Sequence, residues 1–225
     1  MQDEVLKHTE KIKNTIKDKN TTFFEKFKEI IIEIFIIVFA VTLSIWMHSW
    51  SEHNHQQEAV NEFITDLRSD LKNDLLSYQA AEKNLKGTLS MLDSDSIKNK
   101  KINNKEIYFQ KIFRSSSSGN YEGFKSSGDI RYIENKKLKK MILGYYQSIC
   151  PLVLNLESDL KNKIDVLNKE TCYEPIINSE VLNNIKYKFS FEEYLESIKN
   201  NITIYDYAID LNKKTIAEID RELKK

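Results

Sequence analysis

The sequence contains few of the residues that interrupt helices. Its 225 residues include five Gly and two Pro. Glycine and proline form most tight turns and destabilise helix interiors, so their scarcity argues against a turn-rich fold. We therefore predict an all-α protein built from a small number of long helices.

The sequence also lacks net charge and is poor in arginine. Lys and Arg together number 34, as do Asp and Glu, and only four of the basic residues are Arg. A nucleic-acid-binding protein needs a basic surface, which a balanced composition gives no reason to expect. Arg is also the side chain best shaped for paired hydrogen bonds to phosphate or carboxylate. The composition therefore predicts no nucleic-acid partner.

Cysteine is almost absent, and Cys150 and Cys172 are the only two in the chain. On one continuous helix they would lie about 33 Å apart, whereas a disulfide requires Cα atoms within about 7 Å. They can pair only if the chain reverses between them or if they belong to two copies. We predict two free thiols.

One long apolar run interrupts this polar sequence. Residues 30–50 read IIIEIFIIVFAVTLSIWMHSW, in which Glu33 is the only acidic residue. As a helix the run is about 31 Å long, which matches a bilayer core of about 30 Å. A buried helix would need more apolar chain to cover it, and a signal peptide would have a shorter core and a small-residue cleavage site. We predict a transmembrane helix that acts as an uncleaved signal anchor.

Basic residues flank the run mainly on one side. Residues 11–29 contain six Lys, whereas Arg68 is the single basic residue between positions 51 and 70. The positive-inside rule then predicts a cytoplasmic Lys-rich arm at residues 1–29 and a periplasmic domain at residues 51–225. The expected location is the bacterial inner membrane. The arm suits either a helix lying on anionic lipid or a solvated tail.

Apolar residues after the run recur every three or four positions, the spacing of helices that pack side by side. One stripe runs from Val60 to Leu92 and continues the membrane helix, to about 70 residues in all. A second runs from Leu138 to Leu167 through Leu152, with a kink expected at Pro151. A third runs from Phe191 to Leu223.

These stripes define the expected domain organisation. We predict one transmembrane helix that continues into an antiparallel, coiled-coil-like bundle of long helices. Asn135 and Ser190 are the expected N-caps of the second and third long helices. The predicted segments are a long helix at 51–92, an irregular connector with short helices (106–113 and 120–127) at 93–134, and long helices at 135–172 and 190–225.

Several blocks of sequence occur in a recognisable order. They are Glu33-Ile34, Trp50-Ser51-Glu52, Phe124-Lys125-Ser126-Ser127-Gly128, Asn135-Lys136-Lys137-Leu138 and Tyr145-Tyr146. Together they resemble a domain-of-unknown-function family, DUF 6090, of single-span membrane proteins from Bacteroidota. The resemblance covers residues 25–165. It implies the same membrane topology and implies no activity.

The Phe124–Gly128 block has two interpretations. Ser126 or Ser127 beside Lys125 could form an activated nucleophile, although no base or oxyanion site accompanies them. Alternatively the block is a short helix in which Phe124 plugs the bundle and Gly128 supplies a left-handed C-cap. The second interpretation needs no further residues, and we expect no catalytic residue here.

Two other groups of polar residues are candidates for binding. His48, Glu52 and His55 share one helix face, which suits either a transition metal or a polar collar beside the membrane, and we predict no metal. Glu33 lies one turn inside the membrane run. It suits contact between helix copies or an ion site, or else it snorkels to the interface or is protonated.

The functional prediction is a non-enzymatic structural or interaction module of the bacterial envelope. Its partners would be the lipid bilayer and either further copies of the chain or another envelope protein, with no cofactor. The alternative is a periplasmic sensory input domain that signals through a separate cytoplasmic partner. An oligomeric ion pathway lined by Glu33 is a third possibility. We expect no enzyme, because nothing groups an acid, a base and a nucleophile.

Overall fold

The computed structural model describes residues 2–17, 23–92, 102–103, 118–171, 176–177 and 184–224. Helices make up most of these residues, so the predicted all-α fold is confirmed. One two-residue antiparallel pairing is present, with Ile102 opposite Ile177. In chain order the elements are α1 (Gln2–Lys17), α2 (Phe23–Met91), β1 (Ile102–Asn103), α3 (Gly119–Ser126), a 3-10 turn (Asp129–Tyr132), α4 (Lys136–Gly144), a π-helical turn (Tyr145–Ile149), α5 (Cys150–Glu170), β2 (Ile176–Ile177) and α6 (Ile185–Glu222).

The chain divides into two compact units, Met1–Glu58 and Ala59–Lys225. The first contains α1 and the amino-terminal part of α2, and the second contains the remaining elements. Helix α2 has 69 residues, which confirms the expected continuous helix of about 70. It has this length because its first 64 residues, Phe23–Lys86, include neither Gly nor Pro.

The second unit is a bundle of three long helical segments. Arg68 of α2 pairs with Asp220 of α6 at 2.5 Å, and Lys86 pairs with Asp206 at 3.6 Å. Because the partner numbers fall as the α2 numbers rise, α6 runs antiparallel to α2. Lys163 of α5 likewise pairs with Glu193 at 3.1 Å, while Lys137 of α4 pairs with Glu218 at 2.6 Å. Helix α6 is therefore antiparallel to both of its neighbours.

It follows that α2 and α5 run in the same direction. The sequence left the direction of the third helix open, and this geometry decides it.

The predicted stripes of α2 and α6 form the core. Ile64, Leu67 and Leu71 of α2 are fully buried, as are Ile198 and Tyr205 of α6. Burial of such apolar surface is the main driving force for packing the helices. Phe63 is also buried, although the predicted stripe does not include it.

The prediction that Leu152 lies in the core is wrong, although the rest of the second stripe is kept, since Leu160 and Leu167 beyond Pro151 are buried. Leu152 is 44% exposed, whereas Val153 is fully buried. Val153 follows Ile149 by four residues and precedes Leu160 by seven, so ordinary α-helical spacing keeps it on the buried face. A π-helical turn, Tyr145–Ile149, precedes this part of the helix. It ends two residues before Pro151, which has no backbone N–H. The kink expected at Pro151 stays a prediction.

The predicted start of the third long helix at Ser190 is also wrong. Helix α6 begins at Ile185, and the Asn184 side chain accepts a hydrogen bond from the Lys186 N–H at 3.0 Å. Ser190 lies inside the helix and is buried. The earlier start adds a turn whose Tyr187 packs into the unit, so burial outweighs the Ser190 capping pattern.

The short helix around Phe124 ends as predicted. Helix α3 spans Gly119–Ser126, close to the predicted 120–127, and Gly128 has φ 82° in the left-handed region. The short helix predicted at 106–113 lies outside the described residues.

Replacing Gly128 by Ala should destabilise the protein by about 1 kcal/mol, because a Cβ disfavours positive φ. Gly123→Ala within α3 is the matched control, since an added Cβ meets no atom within 4 Å at either position. The control should stabilise by up to about 1 kcal/mol. Denaturant unfolding of the full chain in detergent, followed by circular dichroism, measures both. Equal effects would contradict a left-handed residue at position 128.

Candidate functional site

The apolar run of α2 exposes its side chains on every face. The candidate membrane-spanning helix found in the described chain includes this run, and only 6% of its most apolar window is buried. A core helix of a soluble protein would be largely covered by its neighbours. The exposed apolar side chains of the run are Ile31, Ile32, Ile34, Phe35, Ile36, Val38, Phe39, Val41, Leu43, Ile45, Trp46, Met47 and Trp50.

Glu33 is the buried exception in this run. Its side chain is 4% exposed because α1 packs against it. Lys11 of α1 pairs with Glu33 at 2.6 Å, and the His8 ring contacts the other carboxylate oxygen. The hydrogen bond to Glu33 raises the pKa of the Lys11 ammonium above its usual value. Glu33 thus has two partners from its own chain.

Sequence reasoning missed both of these partners. His8 and Lys11 are three residues apart, so they share one face of α1. The shared helix face of His8 and Lys11 was the available signal. Their pairing with Glu33, 22 or more residues further along the chain, depends on how α1 packs against α2, which local spacing does not predict. The structure accordingly gives Glu33 intrachain partners, which none of the alternatives drawn from the sequence included.

The proposed metal face does not gather a ligand set. Glu52 accepts a hydrogen bond from Gln56 at 3.1 Å, and His55 lies 3.6 Å from Glu58. His48 shares the same exposed face of α2. Within the part of the chain that the structure describes, no three His, Cys, Asp or Glu side chains are placed to hold a metal ion.

The Phe124–Gly128 block is used for packing. Phe124 stacks on Phe63 of α2 with ring centroids 3.9 Å apart. The Ser127 hydroxyl donates to the Phe124 carbonyl at 2.9 Å and lies 2.6 Å from Asp129, and Ser126 is exposed. These contacts agree with the second interpretation of the block, in which Phe124 packs into the bundle and Gly128 ends the short helix.

Helix α3 also holds the π-helical turn in place. Tyr121 of α3 stacks on Tyr146 with centroids 4.3 Å apart, and Tyr146 meets Tyr145 edge-on at 4.9 Å. Gln147 donates to the Tyr121 hydroxyl at 3.0 Å. Tyr146 of the Tyr145-Tyr146 block therefore forms one of the contacts between α3 and the rest of the bundle, and Tyr145 packs against Tyr146.

A buried polar layer crosses the centre of the bundle, formed by Asp74, Tyr78, Tyr145 and Asn212. The Tyr145 hydroxyl donates to Asp74 at 2.6 Å and lies 3.1 Å from the Tyr78 hydroxyl. Asn212 donates to the Tyr145 oxygen and to the Leu71 carbonyl, both at 3.4 Å. The layer thus joins α2, the π-helical turn and α6.

Burial changes the acidity of the tyrosines in and beside this layer. Desolvation, reinforced by the nearby Asp74 carboxylate, raises the pKa of Tyr145 far above the usual value for tyrosine. The same causes raise the pKa of Tyr146. Both hydroxyls therefore stay protonated in the folded protein, where Tyr145 can donate to Asp74.

Asn135 fastens α4 to the end of α6. Its side-chain oxygen accepts from the Leu138 N–H at 3.0 Å, which confirms the predicted N-cap. Its amide nitrogen donates to Glu218 at 3.2 Å and to Glu222 at 2.6 Å. Lys137 and Asn135 together hold the pKa of Glu218 below its usual value. The Asn-Lys-x-Leu block thus connects the first turn of α4 to the carboxy-terminal end of α6.

Cys150 lies in the first turn of α5. Its side chain is buried, with the sulfur as a thiol, in agreement with the prediction for this residue. Cys172 lies outside the described residues.

Fold and site together define an all-α protein with a three-helix bundle and one candidate membrane-spanning helix. The chain belongs to a family of unknown function, DUF6090, whose model matches residues 33–181. This confirms the resemblance drawn from the sequence blocks. No curated protein and no solved structure matches the chain. Helix α6, which supplies Asn212 and Glu218, lies beyond the matched residues.

Replacing Tyr145 by Phe should destabilise the bundle by about 2–3 kcal/mol, because the buried Asp74 carboxylate loses a hydrogen-bond donor. Tyr207→Phe is the control: it removes a hydroxyl from a side chain that is 55% exposed, and its effect should stay within about 0.5 kcal/mol. Denaturant unfolding in detergent measures both changes. Equal losses would contradict a central role for the Tyr145 hydroxyl.

Stability should fall as the pH rises above about 10, the usual pKa of an unfolded tyrosine. The unfolded chain then loses protons that Tyr145 and Tyr146 retain in the folded state. Above about pH 10, each such tyrosine lowers the free energy of unfolding by about 1.4 kcal/mol per pH unit. Below about pH 10, its contribution to the free energy of unfolding is fully present. Tyr146→Phe shares every lysine with the parent chain, so the difference between their alkaline unfolding curves isolates this side chain. Parallel curves would argue against a raised pKa at Tyr146.

Proposed function

We propose that this chain is a single-pass inner-membrane protein whose helical bundle serves as a non-enzymatic structural or interaction module of the bacterial envelope. Residues 1–29 would lie in the cytoplasm and the bundle in the periplasm. The observation that carries this proposal is the run at residues 30–50, which is apolar and exposed on every face. In water such a surface would aggregate, whereas lipid accommodates it.

The contacts of the bundle support an interaction role over a catalytic one. The polar residues singled out by the sequence, Ser127 and Tyr145 among them, bond to neighbouring groups that hold the fold together. The module would act by self-association or by docking onto another envelope protein, and the bilayer would be its constant partner.

A sensory role is the second candidate, favoured by the continuity of α2. The same helix includes the apolar run and, further along, Asp74 and Tyr78 of the polar layer. A change in the bundle could therefore move the membrane segment and reach a separate cytoplasmic partner. A ligand that shifts the unfolding temperature of the bundle would favour this role.

Membrane insertion is tested by placing charges in the run. Phe39→Lys with Leu43→Lys should prevent stable insertion, because each buried charge costs about 2.5–3.5 kcal/mol at the centre of a bilayer helix. Leu76→Lys is the control: it adds a charge at an exposed apolar side chain of the same helix within the second unit. The parent chain and the control should resist alkaline carbonate and be released by detergent. A parent chain that is soluble without detergent would overturn the proposal.

The orientation and the role are tested separately. A reporter that is active only in the periplasm should be active when fused after Lys225, and activity of a cytoplasmic reporter at that position would contradict the topology. Mass measurement of the detergent-purified chain then tests the role. A strict monomer that co-purifies with no other protein would argue against an interaction module.

A further inference from the structure

One face of the apolar run is covered around Glu33. Ile30 and Ile37, one turn before and one turn after Glu33, are half-buried, whereas Ile31 and Ile36 on other faces of the helix are exposed. Residues three and four apart share a helix face, so Glu33 and its two half-buried neighbours form one continuous patch. Another element of the first unit therefore packs on this patch.

Helix α1 is the element that packs there. Lys11 pairs with Glu33 at 2.6 Å, and the His8 ring contacts the other carboxylate oxygen. His8 and Ile12, one turn apart on α1, are half-buried. Helix α1 therefore packs against α2 with the side that includes His8 and Lys11.

The position of Glu33 in the run determines the depth of this contact in a bilayer. Glu33 lies three residues after Ile30, which is about 4.5 Å along a helix from the start of the run. The polar region on each side of the hydrocarbon core is about 5–7 Å thick. A helix that contacts Glu33 with a lysine and a histidine therefore lies where lipid headgroups meet acyl chains, the depth at which amphipathic helices bind.

Helix α1 has a second, apolar side that suits this depth. Val5, Thr9, Ile12 and Ile16 follow one another at steps of three or four residues, so they share one side of the helix. At about 100° per residue, the centre of this side is about 100° around the helix axis from the side that contacts Glu33. A helix that lies flat on a bilayer next to a membrane-spanning helix needs this arrangement, because lipid is below it and the other helix is beside it.

The residues exposed elsewhere on α1 are mainly polar. They include Lys7, Glu10, Lys13 and Asn14. An interfacial helix needs such a polar side toward headgroups and water.

We propose that α1 lies on the cytoplasmic surface of the bilayer as an interfacial helix, held beside the membrane span by the contacts of Lys11 and His8 with Glu33. Its partner is the phospholipid of that leaflet. The proposal rests on the membrane anchoring proposed above, and it selects the lipid-bound helix over the solvated tail. A solvated arm would leave the Glu33 carboxylate in lipid without these partners, which is costly.

Spin labels on α1 test its contact with lipid. In a Cys172→Ser background, where the remaining Cys150 is buried, Thr9→Cys and Asn14→Cys place a label on the apolar and on the polar side of α1. The full chain is reconstituted at one copy per nanodisc of phosphatidylethanolamine and phosphatidylglycerol, so lipid is the only apolar partner present. Oxygen concentrates in lipid, whereas a nickel chelate stays in water. The ratio of oxygen to nickel accessibility should be several-fold higher at position 9 than at position 14. Equal, water-like ratios at both positions overturn the proposal.

Charge reversal tests the contact with Glu33. Lys11→Glu places a second carboxylate against Glu33, so it should broaden the distance distribution between spin labels at Asn14→Cys and Phe27→Cys, measured by pulsed electron paramagnetic resonance. Lys13→Glu is the matched control, because it makes the same charge change at an exposed lysine of the same helix, and it should leave the distribution narrow. Lys11→Glu combined with Glu33→Lys should restore the narrow distribution. A narrow distribution in Lys11→Glu alone, or a broad one in the charge-swapped chain, overturns the proposal.

Carbonate extraction separates this proposal from the membrane anchoring. A chain that stays in the membrane while both α1 labels report water overturns the interfacial helix alone. A chain that carbonate releases without detergent overturns the anchoring.

Discussion

The burial of one apolar stripe of α2 against α5 and α6 is the interaction on which the second unit depends. Ile64, Leu67 and Leu71 lose all contact with solvent in this packing, and the removal of such surface from water drives the association of helices. In this packing α5 lies parallel to α2, and α6 is antiparallel to both. The ion pairs of Arg68 and Lys86 with α6 follow from that arrangement and add orientation more than stability.

Apolar burial alone would allow the helices to slide past one another, and the polar layer restricts them. Asp74, Tyr145 and Asn212 come from three different segments, and only one alignment lets Tyr145 donate to Asp74 while accepting from Asn212. A buried carboxylate without its donor is costly, so misaligned packings are disfavoured. The same layer joins the π-helical turn to α2 and α6, because Tyr145 of the turn bonds to residues of both helices.

The two units use apolar residues in opposite ways. In the bundle, leucine and isoleucine occur in stripes and are covered by neighbouring helices. In the run at residues 30–50 they cover every face and stay exposed, with Glu33 as the covered residue. From α1, Lys11 pairs with that carboxylate and the His8 ring contacts it. The contrast is the physical basis for our proposal that the run lies in lipid and the bundle in water.

The sequence by itself determined the helices, the stripes that face the core, the Asn135 and Gly128 caps and the candidate membrane span, because each depends on local spacing or on neighbouring residues. Only the tertiary structure decided the direction of α6, the burial of Val153 in place of Leu152, the start of α6 at Ile185, and the partners of Glu33 and Asp74. These depend on contacts between residues that are distant in the chain. Propensity and periodicity act over one or two helical turns, so they contain no information about such pairings.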